Sequence, residues 1–136
     1  MTFSLYALLS DDSSPVSNES LAIALQEYLR NENNFSLQFE RLPFAKNQTL
    51  ALRWGSWLVR VSYEEGDAVK QDSIGIQKKT AATSEHEVSH IKKRIRLVIG
   101  SDDNQHFTNQ LIYLIDFLRT IKGVLIFDPQ QNDFVN

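Results

Sequence analysis

The stretch "LALRWGSWLVRVSY", residues 50–63, restricts the possible folds more than any other part of the chain. Gly55-Ser56 fits a two-residue type II′ turn, which requires glycine at its first central position. A turn at that point pairs Trp54 with Trp57, Leu52 with Val59 and Leu50 with Val61, and puts all six side chains on one face with Tyr63. Arg53, Arg60, Ser62 and Glu64 then share the opposite face. A slip of one residue would scatter both sets, so the alternation itself specifies the register. The tryptophans are expected in the core or at its rim, as large amphipathic rings usually are. Arg53 and Arg60 are the hairpin's exposed feature, either a solvated sheet face or a partner contact.

The flanking segments extend the pattern. Residues 3–9 form an apolar stretch ended by the turn-prone "SDDSSP". Ser17 or Asn18 offers an N-cap, Glu19 sits favourably in the first turn, and Leu21, Leu25, Tyr28 and Leu29 follow at helical spacing, predicting a helix over 18–31. Phe35, Leu37 and Phe39 alternate with polar residues as in a half-buried strand. "AVKQDSIGIQKK" fits a helix that Gly75 weakens, and "TSEHEVSHIKK" a short polar helix capped by Thr83 or Ser84. "RIRLVIG" (94–100) has the near-continuous apolar run of a buried parallel strand. Phe107, Leu111, Leu114, Ile115, Leu118 and Ile121 lay a stripe along a helix of about four turns, with Gly123 as its C′ residue. "VLIF" (124–127) is a last buried strand, closed by "DPQQND". The expected fold is a single domain over 1–136, α+β or α/β. It has two main amphipathic helices and a mixed sheet of five to six strands, in the order β-α-β-β-β-(α)-β-α-β. The strands at 94–100 and 124–127 run parallel across a right-handed crossover.

Composition sets outer bounds. A chain of 136 residues with 42% hydrophobic and 23% charged residues is ordinary for one soluble globular domain. A net charge of −3 gives no global attraction to nucleic acid or anionic lipid. With no cysteine, disulfides, thiolate metal sites and cysteine nucleophiles are excluded. No apolar run approaches the roughly 20 residues of a membrane helix, and "MTFSLYALLSDDSS" lacks the basic region of a signal peptide. The expected location is the cytoplasm.

Three constellations invite chemistry. "HEVSH" (86–90) spells H-E-x-x-H: on a helix, His86 and His90 lie one turn apart and share a zinc ion, with Glu87 as general base. Against this, "KKR" follows Ile91, no glutamate occurs after Glu87 to act as third ligand, and the extended form of the motif fails at Lys93 and Arg96. The match is therefore read as fortuitous, with no metal, no cofactor and no enzyme expected; a zinc hydrolase stands as the alternative. "HIKKRIR" gathers His90, Lys92, Lys93, Arg94 and Arg96, but no aromatics are interleaved for base stacking, so no nucleic-acid partner is expected. The acids are the third group. Asp11-Asp12 follows the first strand, Asp102-Asp103 the fifth, and Asp128 ends the last. If those strands are parallel neighbours, five carboxylates collect on the edge where open α/β sheets dock ligands. Turn-forming and N-cap roles explain the same positions, and the functional readings are a Mg²⁺ site or a surface for a basic partner.

The closing segment "IRLVIGSDDNQ…TNQLIYLIDFLRTIKGVLIFDPQQNDF", with its terminal "FDPQ", resembles the final strand-helix-strand of small bacterial immunity proteins. These proteins neutralise secreted or contact-delivered toxins in interbacterial competition, type VI secretion included. The likeness covers about the last third of the chain and the overall layout. It implies a non-enzymatic cytoplasmic protein whose partner is a cognate protein toxin, blocked by stoichiometric occlusion. It transfers no binding residue; Asp11, Asp12, Asp102, Asp103 and Asp128, then Arg53 and Arg60, are the candidates from the residues themselves. An adaptor domain for another partner is the blander alternative.

Overall fold

Gly55 adopts φ +61° at the tip of the hairpin, a backbone conformation that glycine enters without penalty. The strands it joins pair Trp54 with Trp57, Leu52 with Val59 and Leu50 with Val61, the register the alternation predicts. In the computed structural model, which describes residues 2–41, 43 and 48–135, this hairpin is β3 (Thr49–Trp54) and β4 (Trp57–Glu65) of a larger sheet. The other elements are β1 (Phe3–Leu9), α1 (Asn18–Tyr28), β2 (Phe35–Glu40), α2 (Asp67–Thr80), β5 (Lys93–Ile99), α3 (Thr108–Arg119), β6 (Leu125–Asp128) and β7 (Asp133–Val135).

The seven strands lie in the order β2-β3-β4-β5-β1-β6-β7, and every neighbouring pair is antiparallel. The fold is α+β. Two expectations change: among the described residues the sheet is antiparallel instead of mixed, and it holds seven strands instead of about five to six. The reason is the position of β1. Strands β5 and β6 do run in the same direction, as a crossover through α3 requires, but each pairs with β1, which lies between them and runs the other way.

Two layers cover the sheet. On one face α1 and α3 pack over Leu5, Ala7, Leu50, Leu52, Trp54, Trp57, Val59, Val61, Ile95, Leu97 and Ile99, forming the main core. Each such leucine, isoleucine or valine contributes roughly 1.5–3 kcal/mol by leaving water. Helix α1 begins at Ser17, whose hydroxyl accepts from the Ser20 amide while the Ser20 hydroxyl accepts from the Ser17 amide. That reciprocal cap satisfies two otherwise orphaned donors.

On the second face, α2 is a complete 14-residue helix despite Gly75. It lies against β4 and β5, and its Ile76 joins Val88 and Ile91 of the following segment in a smaller cluster with Leu8 of β1 and Phe127 of β6. Around β2 and β3 this face leaves Ser36, Gln38 and Arg53 exposed. Strand β5 thus reads as apolar because both of its faces are partly covered, not because its neighbours are parallel. Arg94 is the charged residue it buries. Its guanidinium donates to Glu64 at 2.8 Å and Asp72 at 2.9 Å and lies 4.5 Å from the Tyr6 ring centre, fastening α2 to the sheet.

Candidate functional site

At the end of the sheet where β1 begins and β5 ends lies a concavity of about 520 Å³. Its apolar floor comes from Phe3, Trp57, Ile99, Phe107 and Leu111. Its rim carries Asp102, Asp103, Gln105 and Gln130. The floor continues a row of rings: Phe35 lies 4.7 Å from Trp54, Trp54 lies 5.6 Å from Trp57, and Trp57 stacks on Phe107 at 4.9 Å with planes 4° apart. The two tryptophans are core residues, 2% and 4% exposed, as the hairpin pattern predicts. Trp57 also donates its indole N–H to the Gly100 carbonyl at 2.9 Å. Gly100 is required by space: a Cβ there would lie 2.7 Å from the Leu58 carbonyl oxygen.

The rim is held by the loop between β5 and α3. The Asp102 carboxylate accepts the amides of His106 and Phe107 at 2.9 and 2.7 Å, so it organises the turn that positions Phe107. Asp103 is exposed and makes no hydrogen bond or ion pair with the described residues. Gln130, from the turn after β6, clips onto β1 through Ser4: its side-chain oxygen accepts from the Ser4 amide and its nitrogen donates to the Ser4 carbonyl, both at 2.8 Å. Asp128 accepts the Gln130 amide at 2.8 Å and so sets that clip.

The five predicted carboxylates do not share one edge. Asp102, Asp103 and Asp128 lie at the sheet end where β1 starts. Asp11 and Asp12 follow Leu9 at the opposite end, where β1 faces Lys93, because β1 runs against both β5 and β6. The parallel-neighbour premise fails, and with it the single acidic edge. Of the three acids at that end, Asp102 and Asp128 are occupied in turns, and Asp103, the other carboxylate on the cleft rim, has no partner among the described residues.

Arg53 and Arg60 do share the open part of the second face. Arg60 pairs with Glu40 at 2.8 Å, and Arg53 lies 3.8 Å from the same carboxylate.

The H-E-x-x-H segment is not the helix expected there. Residues 84–92 form a turn and extended chain. Val88, at the centre of the motif, is fully buried in the second cluster, and its amide donates to Gln77 of α2 at 2.7 Å. His86 meets the Phe134 ring edge-on at 5.0 Å. Glu87 accepts hydrogen bonds from the Ser89 hydroxyl and amide, which hold its carboxyl below the usual range. Without helical spacing the two imidazoles do not form the paired zinc ligands of that motif. Among the described residues no group of three or more His, Asp or Glu is placed to hold a metal ion.

The basic run separates as well: Arg94 is buried under α2, while His90, Lys92 and Lys93 are exposed. No helix among the described residues is long and apolar enough to cross a membrane. Compared with family models, curated proteins and solved structures, the chain matches none.

Sequence reasoning placed Phe107 on a helix stripe and Trp57 in the core, and assigned Gln105 and Gln130 no role. They become a site only where the hairpin tip, the β5–α3 loop and the β6–β7 turn meet. The signal that pointed there was "SDDNQ" directly after a buried strand.

Proposed function

We propose that this chain is a non-enzymatic binding protein of the immunity type, which blocks a cognate bacterial toxin by forming a stoichiometric complex in the cytoplasm. The supporting observation is the cleft at the β1/β5 end of the sheet. It combines a rigid aromatic floor, backed by the main core, with a polar rim and an uncompensated carboxylate. Protein interfaces concentrate their binding energy in such places, where a desolvated anchor fills a pocket and a charged rim steers and orients. Occlusion requires little beyond a stiff exterior of complementary shape. The open face bearing Arg53 and Arg60 is the secondary surface.

The test is co-expression with the product of the adjacent reading frame. The expected result is rescue of growth from a toxic neighbour, a 1:1 complex by size-exclusion chromatography with light scattering, and binding by Asp103→Lys at least tenfold weaker. A non-toxic neighbour, or a toxic one that neither binds nor is neutralised, would overturn the proposal. Unchanged affinity in Asp103→Lys, with affinity lost in Arg53→Glu/Arg60→Glu, would move the interface to the open sheet face.

A further inference from the structure

We infer that the cleft is an anchor subsite for one arginine side chain presented by a protein partner. This rests on the binding reading above and specifies the chemistry of its central contact.

The floor and the rim make different demands on an occupant. Phe3, Phe107 and Leu111, half-buried around the cleft, offer a hydrocarbon and ring surface, which selects an occupant with an apolar stem. Phe107 is backed by the parallel ring of Trp57 4.9 Å away, which supports its plane. A flat group that stacks is favoured over a round one. The rim adds charge. Asp102 has its negative charge partly met by two backbone amides, whereas Asp103 is uncompensated.

Anions are repelled at such a rim. A neutral apolar guest would strip water from Asp103 and leave it unpaired, which is unfavourable. A divalent cation needs more oxygen ligands than one uncommitted carboxylate supplies, and the described residues place no third acid beside the two. A guanidinium on a three-carbon stem meets all the demands together. Its methylenes lie on the floor, its plane stacks on an aromatic face, and its donor fork reaches the carboxylate. The lysine ammonium satisfies the charge but neither stacks nor forks.

The test uses the intact chain, ¹⁵N-labelled, titrated with N-acetyl-argininamide as a blocked side-chain probe and observed by NMR. Saturable shifts are expected at the Trp57 indole N–H and at the amides of Gly100, Asp103, Gln105 and Thr108. The isosteric neutral probe N-acetyl-citrullinamide should bind at least about fivefold more weakly, and Asp103→Asn should weaken the arginine probe by a similar factor. Asp103 is exposed and makes no hydrogen bond or ion pair with the described residues, so this variant should fold as the parent does.

The inference is overturned if citrulline equals arginine, if Asp103→Asn changes nothing, if shifts do not saturate, or if they spread over the surface. Tighter binding of free arginine than of the blocked amide would assign the cleft to a small metabolite and equally overturn a protein-borne side chain. Loss of probe binding with toxin neutralisation intact removes this subsite alone. Probe binding without neutralisation removes the immunity reading alone.

Discussion

Arg94 is only 7% exposed, and its replacement by alanine tests how α2 is held. Its guanidinium donates to Glu64 and Asp72 at 2.8 and 2.9 Å and sits over Tyr6. Truncating one partner of a buried ion pair costs about 3–5 kcal/mol when the remaining charge stays buried. Here the orphaned carboxylates are 30% and 56% exposed, so both can rehydrate, and Glu64 keeps Arg96 at 3.9 Å. Discounting for that exposure leaves about 2–3 kcal/mol, part of it the lost contact between the cation and the Tyr6 ring. For a chain of this size that is a fall in Tm of about 10 °C, measurable by circular dichroism or calorimetry. Arg96→Ala, on the same strand and 42% exposed, is the control and should cost about 0.5 kcal/mol or less. A loss below about 1 kcal/mol for Arg94→Ala, or equal losses for both arginines, would refute the assignment of Arg94 as the clamp between α2 and the sheet.

Other outcomes follow from the same geometry. Leu97→Ala, at a site 1% exposed in the central strand, should lower stability by about 3 kcal/mol in urea denaturation, with a cavity term added to the transfer term. Gly100→Ala forces a Cβ against the Leu58 carbonyl, so it should destabilise by about 1–3 kcal/mol and shift the NMR signals of Trp57 and Phe107 together. Burial, with the Glu65 carboxylate as hydrogen-bond acceptor and neighbouring charge, pushes Tyr63 up to about 12. Its folded pKa therefore lies above the unfolded value, so its stabilising contribution is complete below pH 10 and declines between about 10 and 12. An ultraviolet titration should show one tyrosine ionising late, near pH 12, and that step should be absent in Tyr63→Phe. Zinc should bind the wild type and a His86→Ala/His90→Ala variant equally weakly by calorimetry; a stoichiometric site lost in the double variant would restore the metal reading.

Local pattern determined much of this protein. The hairpin register, the alternation of β2 and the apolar stripe of α3 were legible because each follows from the side-chain periodicity of a single segment, while the cap of α1 was narrowed to Ser17 or Asn18 and the structure places it at Ser17. The burial of both tryptophans followed from the same arithmetic. Helix α2 was half legible: Gly75 lowers its propensity, but packing of Val69 and Ile76 outweighs a penalty of about 1 kcal/mol. The HEVSH segment was misread because its polar composition carries no period. Val88 is drawn into the second cluster, and that tertiary contact, not propensity, sets the backbone there.

Strand neighbours were beyond any local signal. An apolar run announces that a strand is covered, yet it is silent on which strand lies beside it and in which direction. The insertion of β1 between β5 and β6 sent Asp11 and Asp12 to one end of the sheet and Asp102, Asp103 and Asp128 to the other. The same insertion brought Gln130 onto Ser4 and closed one side of the cleft. The sequence alone determined which side chains face inward, since that depends on spacing along one segment. Which charges meet was decided only by the tertiary structure, because it depends on the order and direction of strands far apart in the chain.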